Sequence, residues 1–287
     1  MPVIQWFPGH MAKAKRMLQE HAPLVDVILE ILDARCPGAS SNPDLMALVA
    51  HKPRIKVLNK ADLADPEATR AWVAYFRRRG EMAVPLDAVK GTGTKEVVAA
   101  IREAFAPRLA EWTRRGRKPR PARVMAVGIP NVGKSSAINR LAGGRKTMVG
   151  DRPGVTRGKQ WVRIGGGVEL LDMPGILVPK FENPWDGVLL AVIGSVKEEV
   201  FDVREVAGEI LPFLWQRAEE AVRSRFGLTE LMPTPEENLE AIGRARGLIR
   251  AGGVVEDEKV AALILREFRE GRLGRITLEE PPEEGHS

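Results

Sequence analysis

Arg123-Val124-Met125-Ala126-Val127-Gly128-Ile129-Pro130-Asn131-Val132-Gly133-Lys134-Ser135-Ser136 decides the fold. Its first five residues are mostly apolar and read as a strand. Gly128 and Gly133 bracket a turn whose backbone N–H groups can wrap phosphates. Lys134 to Leu141 continues as a helix, and its N-terminus adds a partial positive charge at the same place. Strand, Gly-x-x-x-x-Gly-Lys-Ser loop and helix in this order make a phosphate loop. Asn131, Val132, Gly133, Lys134, Ser135 and Ser136 then line a nucleotide's phosphates. Lys134 reaches the β- and γ-phosphates, and the Ser135 hydroxyl ligates Mg²⁺.

Working outward, Asp172-Met173-Pro174-Gly175 follows the strand 168–171, about 40 residues after the loop. An acid at a strand end can hold Mg²⁺ through water, and the Gly175 N–H can meet the γ-phosphate. Thr156 lies between the two motifs. Its hydroxyl suits Mg²⁺ and its N–H the γ-phosphate, a pairing that releases when the phosphate leaves.

Upstream, Arg54–Leu58 reads as an apolar strand ending at Asn59-Lys60-Ala61-Asp62. The Asp62 carboxylate can accept both N–H groups of the guanine edge, which adenine lacks. Lys60 can lie along the ring plane, and Asn59 can tie loops together. Leu86-Asp87-Ala88-Val89-Lys90-Gly91 stands where a second base-contacting loop belongs. Asp87 occupies a place usually held by serine, and the Ala88 N–H keeps its place opposite the guanine O6. These motifs bind GTP and GDP, but their order is reversed. The base-reading motif precedes the phosphate loop by about 70 residues.

The remaining pattern gives strands at 24–33 and 82–86 and a hairpin of 161–164 with 168–171. Helices are expected at about 66–79, 94–106, 204–223 and 257–270, with another that starts at Thr234 and stops near Gly252-Gly253. The Gly-, Arg- and Pro-rich stretch 143–158 reads as a mobile loop. Alternating strands and helices imply an α/β fold with a mostly parallel sheet covered on both faces. The expected division is a nucleotide domain, 1–180, then a small all-helical domain, 181–278, and a disordered acidic tail, 279–287. Within the first, a base-reading half (1–107) and a phosphate-binding half (122–180) are joined by a basic connection, 108–121.

The chain has 287 residues, 44% hydrophobic and 29% charged, as in ordinary globular proteins. No apolar run approaches the ~18 residues of a transmembrane span, and the first ten residues lack the apolar region of a secretion signal. Cys36 is the single cysteine, which excludes an intrachain disulfide and a cysteine-built zinc site. A cytoplasmic monomer without membrane contact is expected. The net charge is +6, and seven cations against Glu111 alone lie between Arg108 and Arg123. A basic segment this dense suits a phosphate backbone.

Taken together, Trp6-Phe7-Pro8-Gly9-His10-Met11, Asp33-Ala34-Arg35-Cys36-Pro37, Asn59–Asp62, Gly128–Ser136, Asp151–Thr156 and Asp172–Gly175 resemble the circularly permuted GTPases, and specifically the ribosome biogenesis GTPase A family. The resemblance implies a permuted Ras-like sheet, GTP-dependent binding to a precursor of the large ribosomal subunit, and release on hydrolysis. It also implies that the helical domain touches ribosomal RNA.

Small GTPases place a water-orienting glutamine just after Asp-x-x-Gly. Here Ile176 stands there, so either another group orients the water or intrinsic hydrolysis is very slow. The resemblance points to His10, whose imidazole can orient or deprotonate water. Asn131 matches the asparagine of potassium-activated GTPases, so K⁺ is a second expected cation. Three other readings exist. A permuted GTPase of the small subunit, whose family carries an N-terminal barrel and a zinc site of Cys and His, is opposed by the single Cys36. A GTP-gated RNA-binding module with incidental hydrolysis is compatible with Ile176. A metabolic kinase is opposed by Asn59–Asp62.

Overall fold

The computed structural model describes residues 16–143, 148–149, 161–172 and 183–283. Seven strands form one sheet in the order β3-β2-β1-β4-β7-β6-β5. They are β1 (Val27–Asp33), β2 (Arg54–Asn59), β3 (Met82–Leu86), β4 (Ala122–Val127), β5 (Met148–Val149), β6 (Trp161–Ile164) and β7 (Val168–Asp172). Strands β3, β2, β1, β4 and β7 are parallel, while β6 and β5 add an antiparallel edge. The fully buried run of β1 explains its near-continuous apolar sequence, as expected for a strand covered on both faces.

Helices α1 (Pro43–Ala47) and α2 (Pro66–Arg78) connect β1 to β2 and β2 to β3. Asp65 caps α2, accepting from the N–H groups of Glu67 and Ala68. Helix α3 (Thr94–Arg114) then carries the chain back to β4, on the other side of β1. This crossing realises the permutation: the phosphate-loop strand β4 sits beside β1, although half a domain separates them in sequence.

Helix α3 is longer than the pattern suggested and absorbs much of the basic connection. Pro107 lies inside it. The apolar stripe Val97–Ile101–Phe105 continues to Trp112, which meets the Phe105 ring edge-on at 5.6 Å, so packing carries the helix past the missing N–H. The basic side chains are also partly consumed. Arg108 and Arg120 both pair with buried Asp26 and both stack on Trp112. Arg115 pairs with Glu111, and Arg123 with Glu169.

After α4 (Lys134–Leu141) and the β6–β7 hairpin come α5 (Pro184–Val192), α6 (Val203–Phe226), α7 (Pro235–Arg246) and α8 (Asp257–Arg269). The Thr234–Glu237 capping box opens α7 as expected. The helix stops at Gly247, in the left-handed region, rather than near Gly252. There Gly247 and Leu248 donate back to Arg244 and Gly243 and close the last turn. Helix α5 has no counterpart in the sequence reading. Its run Val188–Val192 is fully buried, and one apolar cluster extends from the sheet through α5 to Phe226, Ile264 and Ile276. The helical region thus shares a core with the nucleotide domain.

The start of the acidic tail is ordered, contrary to expectation. Glu279 accepts from the N–H groups of Gly38 and Ala39, and its own carbonyl accepts from Trp72 Nε1 at 3.1 Å. These contacts offset the chain entropy that keeps acidic, proline-rich tails loose. Residues 284–287 lie outside the described residues. So does most of the expected loop 143–158, of which Gly143 and the short strand β5 are described.

Candidate nucleotide-binding site

Every motif found in the described part follows the C-terminal end of a parallel strand. Asp33 ends β1, Asn59 ends β2, Leu86 ends β3 and Val127 ends β4. The registers align them: Asp33 pairs with Asn59, Asn59 with Leu86, and Ala126 with Asp172. β1 leads outward to β2, whereas β4 has β7 on its other side. The crevice between such diverging connections is where open α/β sheets bind ligands.

The phosphate loop needs its glycines for steric reasons. A Cβ on Gly128 would stand 2.6 Å from the Ile31 carbonyl oxygen. Gly133 has φ +84°, and a Cβ there would stand 2.3 Å from Asn59 Nδ2. That second clash exists because the base-reading and phosphate loops touch. Asn59 Nδ2 donates to the Val132 carbonyl at 2.8 Å, and Lys60 Nζ donates to the Asn131 carbonyl at 2.7 Å. Asn59 Oδ1 is buried without a hydrogen-bond partner. Lys60 and Asn131 are the two non-glycine residues with positive φ among the described residues, at 60° and 62°. Strained backbone of this kind persists where surrounding contacts fix it, and it concentrates at functional loops.

A buried charge network supports Lys60. Its Nζ lies 2.9 Å from Asp33 Oδ2. Asp33 is fully buried and also takes the Arg35 guanidinium in a two-pronged pair, at 2.9 Å from Nε and 2.8 Å from Nη2. Burial alone would raise the Asp33 carboxyl, but Arg35 and Lys60 outweigh it and hold it well below the usual carboxylate range. Burial would likewise lower Arg35, and the Asp33 carboxylate reverses this. Burial pushes the neighbouring Cys36 thiol well up, and Asp33 and Glu279 add to it, so the thiol is held in its unreactive form.

The second base loop is held by its own Asp87. Asp87 is buried, and its Oδ1 accepts from the N–H groups of Val89 (2.8 Å) and Lys90 (2.9 Å). Its main chain also closes onto Gly91 and Thr92. The carboxylate therefore shapes the turn that presents Ala88. Arg140, from the end of α4, clamps that turn through the carbonyls of Ala88 (2.9 Å) and Val89. Ala61 N donates to the Leu86 carbonyl at 3.1 Å, which joins the two base loops.

The phosphate loop also contacts the helical region directly. Asn131 Nδ2 donates to the Gly194 carbonyl at 2.6 Å, and Ser195 Oγ donates to the Pro130 carbonyl at 2.7 Å. Arg269 of α8 grips the end of α5 through the carbonyls of Val192 (2.9 Å) and Ala191 (2.8 Å).

The structure thus brings Asn59, Lys60, Ala61, Asp62, Asp87, Ala88 and Asn131–Ser136 to neighbouring loops at one end of the sheet. Lys134 and Ser135 open α4 there. The backbone of Asp172 pairs beside the phosphate-loop strand. His10, Thr156 and Gly175 lie outside the described residues, as does Ile176. No motif chemistry in the sequence assigns a role to Asp33, Arg35 or Arg140. A buried strand ending in Asp-Ala-Arg was the available signal for the first two. Arg140 carried none, since an arginine on an exposed helix face is ordinary. Among the described residues no group of three or more His, Cys, Asp or Glu side chains forms a metal cluster, and no helix is long and apolar enough to cross a membrane.

The 50S ribosome-binding GTPase family model matches residues 123–211, from the phosphate-loop strand into α6. Ribosome biogenesis GTPase A of Bacillus cereus is 44% identical over 99% of this chain and 96% of its own length. The protein of that name from Thermotoga maritima is 33% identical over 97% and 95%. The crystal structure of GNP-bound YlqF from T. maritima superposes with a TM-score of 0.66 at 29% identity, covering 94% of this chain and 98% of that one. With relatives this similar along essentially the whole chain, the protein belongs to the ribosome biogenesis GTPase A family and is a GTPase.

Proposed function

We propose that this GTPase is an assembly factor for the large ribosomal subunit, binding precursor particles in the GTP state and leaving on hydrolysis. The observation that carries the nucleotide part is the junction of loops. Asn59 and Lys60 donate to successive carbonyls of the phosphate loop, Val132 and Asn131, so base and phosphate recognition are built as one unit. The name of the matched family model and those of the relatives support the ribosomal part.

In this reading Asp62 accepts the guanine N–H groups, the Ala88 N–H meets the guanine O6, and Asp87 holds that loop in shape. The backbone of Asn131–Ser136 and the Lys134 ammonium neutralise the phosphates. The hydroxyls of Ser135 and Thr156 hold Mg²⁺, with Asp172 acting through water. Oxygen donors of this kind suit that hard cation, which supplies charge neutralisation at the β- and γ-phosphates. The Gly175 N–H reads the γ-phosphate. His10 orients the attacking water, since Ile176 has no hydrogen-bonding group. The Asn131 side chain is anchored through Nδ2 on Gly194, and its amide oxygen is the ligand offered to K⁺.

The deciding experiment is GTP hydrolysis titrated with purified large and small subunits. Stimulation by the large subunit alone is the expected result. Equal or absent stimulation removes the assignment and leaves a GTP-gated RNA-binding module. His10→Ala is expected to reduce stimulated turnover far more than GTP binding. Equal rates in potassium and sodium would remove the K⁺ role.

A further inference from the structure

After α8 the chain does not leave the molecule. Residues Arg275–Glu279 run along the loops that follow β2 and β1. Arg275 donates through Nε to the Ala64 carbonyl and through Nη2 to the Ala61 carbonyl, both at 2.9 Å. Ile276 N donates to the Leu63 carbonyl at 3.1 Å, and Thr277 Oγ1 accepts from Asp65 N at 3.0 Å. Leu278 N donates to the Arg35 carbonyl at 2.7 Å. Ile276, Thr277 and Leu278 are buried, at 4%, 2% and 1% exposure, so this is a packed strap and not a loose end.

The strap holds the base-reading loop at the residues around Asp62. The carbonyls of Ala61 and Leu63, its two neighbours, both accept from it, and so does that of Ala64. Leu63 itself packs under Gly271, where a Cβ would stand 2.6 Å from Leu63 Cδ2. A surface loop has no intrinsic rigidity, yet a carboxylate that must meet two N–H groups at once has to be placed within a fraction of an ångström. The planar guanidinium of Arg275 is preorganised for two acceptors three residues apart, which a flexible ammonium is not.

We propose that Arg275–Glu279 is a positioning strap for the guanine-reading loop, and that Arg275 is the residue through which the C-terminal region sets how sharply Asp62 discriminates guanine. The proposal rests on the reading of Asn59–Asp62 as the guanine-selecting motif. Arg275 touches the loop and not the base, so it is a positioning residue. Guanine specificity is then a property of the whole chain, with the sheet supplying the loop and the C-terminal region fixing its shape.

The test uses the full-length protein and the release of fluorescent GDP, IDP and XDP measured by stopped flow, with thermal unfolding alongside. Inosine lacks the 2-amino group that Asp62 would read, and xanthine carries an oxygen there. Arg275→Ala is expected to release GDP roughly tenfold faster while IDP release changes much less, so that the preference for guanine over hypoxanthine narrows. Arg275→Lys should recover part of that preference through one carbonyl. Arg244→Ala, which removes a surface pair with Glu240 on α7, serves as the control and should match the unsubstituted protein. Wild-type GDP release in Arg275→Ala overturns the proposal. So does an equal loss for GDP and IDP, which would mark a general loosening of the fold. Asp62→Asn separates the underlying reading, because an amide can donate to the xanthine oxygen. It should shift preference toward XDP, and failure to do so overturns the guanine reading itself, whatever Arg275 does.

Discussion

Lys60 Nζ lies 2.9 Å from Asp33 Oδ2, so a buried carboxylate at the end of β1 fixes the ammonium that reaches the phosphate loop. Asp33 holds Arg35 at the same time, and Arg35 Nη1 donates to the carbonyls of Phe268 (3.4 Å) and Arg269 (3.3 Å) at the end of α8. One carboxylate therefore links the base-reading loop, the phosphate loop and the helical region.

Asp33→Asn should destabilise the protein by about 3–5 kcal/mol, because it leaves the buried Arg35 without its counter-charge. Urea unfolding would measure this. The pH dependence follows from the sign of the shift. Asp33 is held below its unfolded value, so its contribution is complete above about pH 4 and disappears as pH falls further. The variant should lack that part of the acid sensitivity. Equal acid unfolding curves would show that Asp33 carries no net stabilisation.

Gly133→Ala should abolish tight nucleotide binding while leaving the sheet intact. The added carbon meets Asn59 Nδ2 at 2.3 Å, and φ +84° is unfavourable for any L-residue with a Cβ. Separation of the two loops is the cheapest relief, and a loss of roughly tenfold or more in GDP affinity is expected. Titration with a fluorescent GDP, with circular dichroism to verify the fold, checks it.

Glu279 gives a pH response of the opposite sign. Burial pushes its carboxyl up to about 7 from an ordinary 4.5, although Gly38 and Ala39 donate to it. A raised value means that the folded state favours the protonated form. Its stabilisation is complete below the unfolded value and is lost as pH rises through about 7. The thermal midpoint should therefore decline between about pH 5 and pH 7 in the unsubstituted protein and stay flatter in Glu279→Gln. Parallel profiles would remove the assignment.

The basic segment should split into two functional groups. Arg108→Ala with Arg120→Ala should lower stability, since both cations neutralise buried Asp26. Substituting Arg114, Arg117 and Lys118, which are exposed, should leave unfolding unchanged and weaken binding to ribosomal RNA. The slope of log affinity against log salt should fall by about 1 for each phosphate that is no longer neutralised. An unchanged slope would remove this face from the proposed contact with RNA.

Strands β1, β2, β4 and β7 are legible because each is a largely apolar run that ends at a motif, whereas β5 falls inside the stretch 143–158 expected as a loop. Helices α2 and α7 are legible from their N-terminal signals, Pro66 at the first position of one and the Thr234–Glu237 capping box of the other. Helix α5 is not, because five consecutive buried apolar residues carry no amphipathic period. The extent of α3 is not legible past Pro107, because packing of Trp112 overrides a local helix breaker. The internal bonding of Asp87 is not legible in the sequence: its carboxylate accepts from the Val89 and Lys90 N–H groups of its own turn. A carboxylate at a turn satisfies its own backbone as readily as a ligand.

The sequence by itself determined the phosphate loop, the guanine motif, their reversed order and the α/β class. These depend on residue type at short, fixed spacing, where local stereochemistry leaves little freedom. Only the tertiary structure decided that Asp33, Arg35 and Lys60 form one buried network, that Arg140 clamps the second base loop, and that Arg275 returns to the first. Those contacts join residues that can lie more than 200 positions apart. A surface arginine carries no mark of which carbonyl it will meet until the sheet and the helices share a core.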